Sequence, residues 1–408
     1  MPYDVLSGLK VLDLSQRLAG SFCAKILGSY GCEVVKVEPL VGDPIRLKNK
    51  SFTKKHLEKT ETPLFLHLNA GKKSITLDVS STKGKGVFLK LVKKFDVITE
   101  TFQPNYMDKI GLGHNELRRV NPSLIQTSIT PFGQTGPYKD FEYTELTIFS
   151  TTGAMHREGL PGKHPLKYGG EIAQYFAGSS AAAATVSSLY GRLFNGAGNW
   201  IDISIQECMA GHPHQMARRA AYIYSGQLDQ RSSPRTSASG PREPYAIGSF
   251  RCKDGFVSFL PLGSRMWPNI AKMIDREDLV ENPRYNTQPK RTEHYEELEE
   301  IFQSWLQNKT RAEIFDSVQK SGVPGAPILR SEEVLENEQF NHREFFQTIT
   351  SSTGEKHKYT GDPFRLSNSK KSDLKPAPSL GQHTEEVLST YINLTNDEIE
   401  SLRSENII

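Results

Sequence analysis

Two short apolar strands joined through one helix open this chain, and they restrict it to an α/β architecture with parallel strands. Residues 10–14 (Lys10, Val11, Leu12, Asp13, Leu14) have the length and aliphatic content of a buried strand. A helical segment follows through Ala24–Ser29, and Glu33–Val37 forms a second strand that ends at Glu38. Strands that follow one another in this way need a crossover, which the helix provides. Val87, Phe88, Leu91 and Val92 then share one helical face, Asp96–Thr99 reads as the next strand, and Leu124–Ile129 as a further one. The alternation predicts a parallel sheet covered by helices on both sides. A dinucleotide site would need GxGxxG between the first strand and its helix. Only Ala19-Gly20-Ser21 stands there, so an NAD reading fails despite Glu38 at the end of the second strand.

The second half of the chain carries different signals. Ser179, Ser180 and Ala181–Ala184 follow Gly178 and read as a helix of small residues opened by that glycine, suited to close backbone packing. Ser225–Glu243 is rich in Ser, Arg, Gly and Pro and reads as a linker or mobile loop. Gly248–Leu260 carries strand signals around a turn at Lys253-Asp254-Gly255, and Leu298, Ile301, Phe302, Trp305 and Leu306 mark an amphipathic helix. Thr310 with Glu313 and Thr395 with Glu398 have capping-box spacing, and Gly322 is placed to end the helix that Thr310 opens. These shifts predict a small α/β domain over residues 225–329, set between segments 1–224 and 330–408.

Composition excludes several classes. A chain of 408 residues is long enough for two domains and a sizeable core. No apolar run approaches the ~20 residues that span a bilayer, and the first residues lack the basic and apolar blocks of a signal peptide, so the cytoplasm is the expected compartment. A net charge of +3 is too small to argue for nucleic acid. Cys23, Cys32, Cys208 and Cys252 have no metal-binding spacing and read as reduced structural thiols. His212 and His214 form an HxH without accompanying carboxylate or Cys spacing, so no metal site is expected.

A series of motifs in order resembles the class III CoA-transferases, the CaiB/BaiF family. Leu6–Ser15 resembles the family's opening strand, and Glu33–Pro39 with Gly42-Asp43-Pro44-Ile45-Arg46 its "VikvE.P..GD..R" segment. Asn69–Asp78 resembles "N.gKrsi.lDl", and Glu100-Thr101-Phe102-Gln103-Pro104 stands where "EnFrPG" is usual. Phe132–Pro137, Gly196–Ser204 and Pro378–Thr384 continue the series, so the resemblance runs nearly end to end. It implies a large Rossmann-like domain made from both chain ends, an inserted small domain, and an interlocked dimer. Coenzyme A or an acyl-CoA would be substrate or ligand, with no covalently held cofactor. Arg46, Lys72, Lys73 and Phe102 are the residues that the resemblance offers to CoA. The basic ones suit its phosphates, although a solvated basic pair would look the same in sequence.

The resemblance also marks a loss. The family's nucleophilic aspartate sits four residues before a glycine, and here that position is Gln174, ahead of Gly178. A carboxylate attacks the donor thioester to give a mixed anhydride, and CoA then returns to form an enzyme-bound thioester. A glutamine amide forms neither. Glu171, three residues upstream, is the candidate substitute acid. Pro missing at Ser21, the altered corner at Gln103 and Asn105, and Thr130-Pro131 before Phe132 are further departures. The expectation is therefore a subunit of a CoA-transferase paired with a catalytic sister chain, as in the benzylsuccinate type. The alternatives are an active homomeric transferase that uses another acid, and a non-enzymatic acyl-CoA binding protein. The acyl-CoA racemase branch also wants a carboxylate at 174 and ranks last.

Overall fold

A computed structural model describes residues 4–46, 62–228, 230–231, 245–261, 264–350, 354, 356–368 and 374–408. The protein is α/β and divides into two compact units. One comprises Met1–Ala154, Lys167–Arg219 and Glu338–Ile408, the other Met155–Leu166 and Ala220–Asn337. Most of the Ser225–Glu243 segment lies outside the described residues.

The larger unit is built on six parallel strands: β1 (Lys10–Asp13), β2 (Glu33–Glu38), β3 (Lys73–Thr76), β4 (Val97–Glu100), β5 (Ile125–Thr130) and β6 (Asn199–Ser204). Their order is β3-β2-β1-β4-β5-β6. Every residue of β4 and β5 is buried, as expected of strands covered on both faces. The order reverses between β1 and β4, and the crevice beyond the carboxyl ends of such a pair is where open α/β sheets bind ligands.

Both ends of the chain build this unit. Val387, Leu388 and Ile399 from the C-terminal helices, and Leu394 between them, join Leu12, Val35, Ile75 and Phe88 in one core cluster. The preceding segment seals the free edge of β3. Ser74 N–H donates to His383 Nδ1 at 3.1 Å, His383 N–H donates to the Ser74 carbonyl at 2.8 Å, and Thr76 N–H donates to Thr384 Oγ1 at 3.2 Å. An edge paired in this way cannot template association with another strand.

The small-residue helix differs from expectation. It runs over Ile172–Asn195, so Gly178 lies inside it and does not open it. The reason is packing. A Cβ on Gly178 would sit 2.6 Å from the Ala19 carbonyl oxygen and 3.1 Å from Phe22, on the helix Ala19–Ser29 that follows β1. The glycine is there for close approach between two helices, and the helix can therefore start well before it, at Ile172. That places Gln174 in its first turn.

The smaller unit holds an antiparallel sheet of Gly248–Cys252, Gly255–Phe259 and Gly325–Pro327. Its own core includes Phe250, Phe259, Trp267, Leu298, Phe302 and Ile314. The Thr310–Glu313 capping box forms as expected, and Gly322, at φ +64°, follows the end of that helix.

The close approach at Gly178 yields a direct test. Gly178→Ala should lower the urea midpoint by an amount equivalent to about 1–3 kcal/mol, because the Ala19 backbone cannot give way cheaply. Gly191→Ala, in the same helix with nothing within 4 Å of its added Cβ, should hold or raise the midpoint.

Candidate active site

The surroundings of Gln174 are assembled from two helix starts. Thr144 caps the helix Glu145–Thr151 in a capping box with Thr147, which fixes Glu145 as the first helical residue. Glu171 is the N-cap residue of the helix Ile172–Asn195, although its side chain makes no capping bond, and Gln174 follows in that helix's first turn. The free N–H groups of a helix start attract a carboxylate. Here Ala173 N–H donates to Glu145 Oε1 at 2.7 Å, which ties the two helix starts together.

Glu145 and Gln174 are both buried, 9% and 8% exposed, and face one another. Burial raises the Glu145 carboxyl above the usual range, and the Ala173 N–H, the Gln174 side chain and Lys167 only partly offset it. Glu145 Oε2 has no hydrogen-bond partner, so the Gln174 amide influences this carboxyl without closing a proper bond to that oxygen. Glu171 is half-buried and acts electrostatically on Tyr143, Glu145 and Tyr175, so its carboxylate belongs to the same surroundings. Burial raises the Tyr143 phenol, and the Arg17 guanidinium opposes the rise through its charge. Lys167 Nζ spans the loop before the helix, donating to the carbonyls of Tyr168 and Gly170 at 2.6 Å each.

The basic residues singled out in the sequence sit elsewhere. Arg46 is 5% exposed and grips Glu38 in a two-pronged pair, both contacts at 2.7 Å, with its guanidinium 3.8 Å above the Phe65 ring. Lys72 is 4% exposed; its ammonium donates to Asp13 Oδ2 at 2.7 Å, Asn69 Oδ1 at 2.9 Å and the Ser21 carbonyl at 2.9 Å. Lys73 is partly exposed and bridges Glu33 and Glu386 at 2.7 and 2.8 Å. Arg46 and Lys72 are thus internal counter-ions, and Lys73 belongs to an ion pair at the surface.

Phe102 is placed differently. It lines a cavity of about 260 Å³ with Leu14, Gln16, Val37, Leu77 and Tyr106, beyond the carboxyl ends of β1 and β4 where the strand order reverses. The walls are mostly apolar, as small-ligand sites commonly are. Glu100, at the end of β4, accepts from the Phe102 N–H at 2.8 Å and fixes the turn that presents the ring. Burial pushes the Glu100 carboxyl up to about 7.

The sequence model of CoA-transferase family III matches residues 6–384. The chain belongs to that family. Among curated relatives, this CoA-transferase family III chain is 29% identical to succinyl-CoA–D-citramalate CoA-transferase of Chloroflexus aurantiacus, over 100% of this chain and 99% of that protein. It is 28% identical to the BbsE subunit of succinyl-CoA:(R)-benzylsuccinate CoA-transferase from Thauera aromatica, over 94% of this chain and 93% of the other. A crystal structure of a CaiB/BaiF family protein from Brucella suis superposes with a TM-score of 0.84 at 26% identity, covering 96% of this chain and 100% of that one.

Other sequence candidates resolve as follows. All four cysteines are free thiols. Burial pushes Cys23 and Cys32 up to about 12 and raises Cys208 and Cys252, which disfavours a reactive thiolate. His212 packs edge-on against Phe176, and the His214 side chain lies outside the described residues. Among the described residues no three His, Cys, Asp or Glu side chains converge as metal ligands, and no helix is long and apolar enough to cross a membrane.

Glu145 was not singled out by sequence reasoning. The Thr144/Thr147 cap is weaker in sequence than Ser/Thr with Glu/Gln, and a glutamate at a helix start reads as ordinary charge complementation. Its burial has a measurable consequence. A carboxyl raised in the folded state contributes stability that falls as pH rises from the unfolded value through the raised one. Glu145→Gln should therefore be more stabilising, or less destabilising, at pH 7.5 than at pH 4.5 when urea midpoints are compared with the parent chain. Equal differences at both pH values would show that the carboxyl is not perturbed.

Proposed function

We propose that this chain is one subunit of a CoA-transferase that moves CoA between carboxylic acids, beside a homologous sister chain that carries an intact nucleophile. The observation that carries this reading is the amide at position 174. Gln174 occupies the helix turn where the family resemblance puts the aspartate, and an amide oxygen forms neither anhydride nor thioester. The relative from Thauera aromatica is named as one subunit of a transferase, which supports a two-chain assembly; the D-citramalate enzyme carries no such term.

In this reading the apolar crevice behind Phe102 takes part of the CoA moiety, and the reacting carbonyl lies toward Gln174. Arg46 and Lys72 hold the sheet together beneath it. A cytoplasmic location goes with acyl-CoA substrates. The dimer expected from the resemblance would be formed by this chain and its sister.

One observation favours a second reading. Glu145 is a carboxylate beside Gln174, held through Oε1 by the Ala173 N–H and without a hydrogen-bond partner at Oε2. It is better placed than Glu171 to stand in for the missing aspartate, although its buried oxygen would have to be uncovered first.

CoA exchange between succinyl-CoA and isotopically labelled succinate separates the readings. The purified chain alone should give no exchange above background, and Gln174→Asp should give little, since Thr130, Ser21 and Gln103 also depart from the family pattern. Full exchange by the unmodified chain alone would overturn the proposal. Its loss in Glu145→Gln would then assign the nucleophile to Glu145.

A further inference from the structure

Arg17 stands between the two parts of the proposed site. It is exposed and takes a left-handed backbone conformation, φ +66°, which a side chain with a Cβ adopts only where its surroundings fix it. Those surroundings are the turn after β1. Gln16 N–H donates to Thr101 Oγ1 at 2.9 Å, and Thr101 Oγ1 donates back to the Gln16 carbonyl at 3.0 Å. The Ser15 carbonyl accepts from the buried Lys36 ammonium at 2.7 Å, and Arg17 N–H makes a long 3.4 Å contact to Asp43 Oδ1.

The consequence is directional. Gln16 lines the crevice beside Phe102, while the charge of the next residue acts on Tyr143, which in turn feels Glu145 and Glu171 beside Gln174. Among the described residues no carboxylate pairs with Arg17, in contrast to the buried Arg46 and Lys72. A guanidinium offers five N–H donors in a planar fork that matches the oxygens of a carboxylate or phosphate. The nearby Tyr143 phenol leaves most of that fork unused.

We infer that Arg17, supported by Tyr143, is a binding residue for an oxyanion of the substrate, either a carboxylate on the acyl group or a phosphate of CoA. The inference rests on the reading of the surroundings of Gln174 as an acyl-CoA site. Arg17 does no chemistry in it; it fixes which substrates bind and in what orientation.

Calorimetric titration of the purified protein, together with any chain that copurifies, tests this with succinate and CoA as separate probes and dephospho-CoA as a third. Arg17→Gln should weaken binding of the probe that carries the recognised oxyanion at least tenfold, and Arg17→Lys should restore part of the loss. A loss confined to succinate assigns the acyl carboxylate. A loss confined to CoA assigns a phosphate, and dephospho-CoA shows whether it is the ribose phosphate. Unchanged affinities in Arg17→Gln, with or without a fall in melting temperature, would overturn the inference while leaving the acyl-CoA reading intact. If the unmodified protein binds none of the three, both fall together. Arg17-dependent binding without CoA exchange in any complex would sink only the transferase reading.

Discussion

Six charges shut away from water at the carboxyl ends of β1 and β2 hold the larger unit together. Asp13 pairs with Lys72, Lys36 with Asp43, and Glu38 with Arg46, at 2.7, 2.9 and 2.7 Å, and every one of these side chains is at most 5% exposed. Three acids meet three bases, so the cluster is neutral. Its members come from β1, β2, the loop after β2 and the residue before β3, and Arg46 also donates to the Pro378 carbonyl in the C-terminal segment at 3.2 Å. Removing one partner from such a pair leaves a buried charge uncompensated, at a cost of about 3–5 kcal/mol. The cluster is thus a constraint on geometry more than a source of net stability. It fixes the turn at Ser15–Arg17 and so sets the mouth of the crevice.

Asp13, Glu38 and Lys36 titrate in the direction this role requires, whereas burial outweighs Asp13 at Lys72 and holds its ammonium below the usual lysine range. Burial alone would raise the Asp13 carboxyl, yet the Lys72 and Lys36 ammoniums outweigh it and hold Asp13 below the usual range. Glu38 is lowered in the same way, burial being outweighed by Arg46 and Lys36. Burial pulls Lys36 down, and Asp13, Asp43 and Glu38 more than reverse that. Stability from the lowered carboxyls is present above their ordinary values and is lost as pH falls through the lowered ones. Glu145 has the opposite sign. Asp13, Glu38 and Lys36 are therefore held in their charged forms, while burial beside Gln174 makes the Glu145 charge poorly tolerated.

Much of the scaffold was legible in the sequence because it is encoded locally. The βαβ opening, the buried face of Val87, Phe88, Leu91 and Val92, the turn at Lys253–Gly255 and both Thr–Glu capping boxes depend on residues a few positions apart. The misreadings arise where the partner is distant. Lys72 and Asp13 are 59 positions apart, so no local pattern shows that this cation is consumed inside the fold; Arg46 meets Glu38 only eight positions back, but it is sealed from solvent by the C-terminal segment at Pro378, 332 positions on. Gly178 looked like a helix start because its packing partner, the Ala19 carbonyl, belongs to another helix. The site was half legible. The amide at 174 could be read directly, whereas Glu145 comes to it only through the Ala173 N–H.

The amide leads to the central proposal: this chain keeps the family fold, and a sister chain beside it would perform the chemistry. Native mass spectrometry of the complex isolated from its natural source tests that claim most directly. The account predicts two homologous chains in equal amount, one of them bearing an aspartate at the position of Gln174. An assembly containing this chain alone, active in CoA exchange, would contradict it.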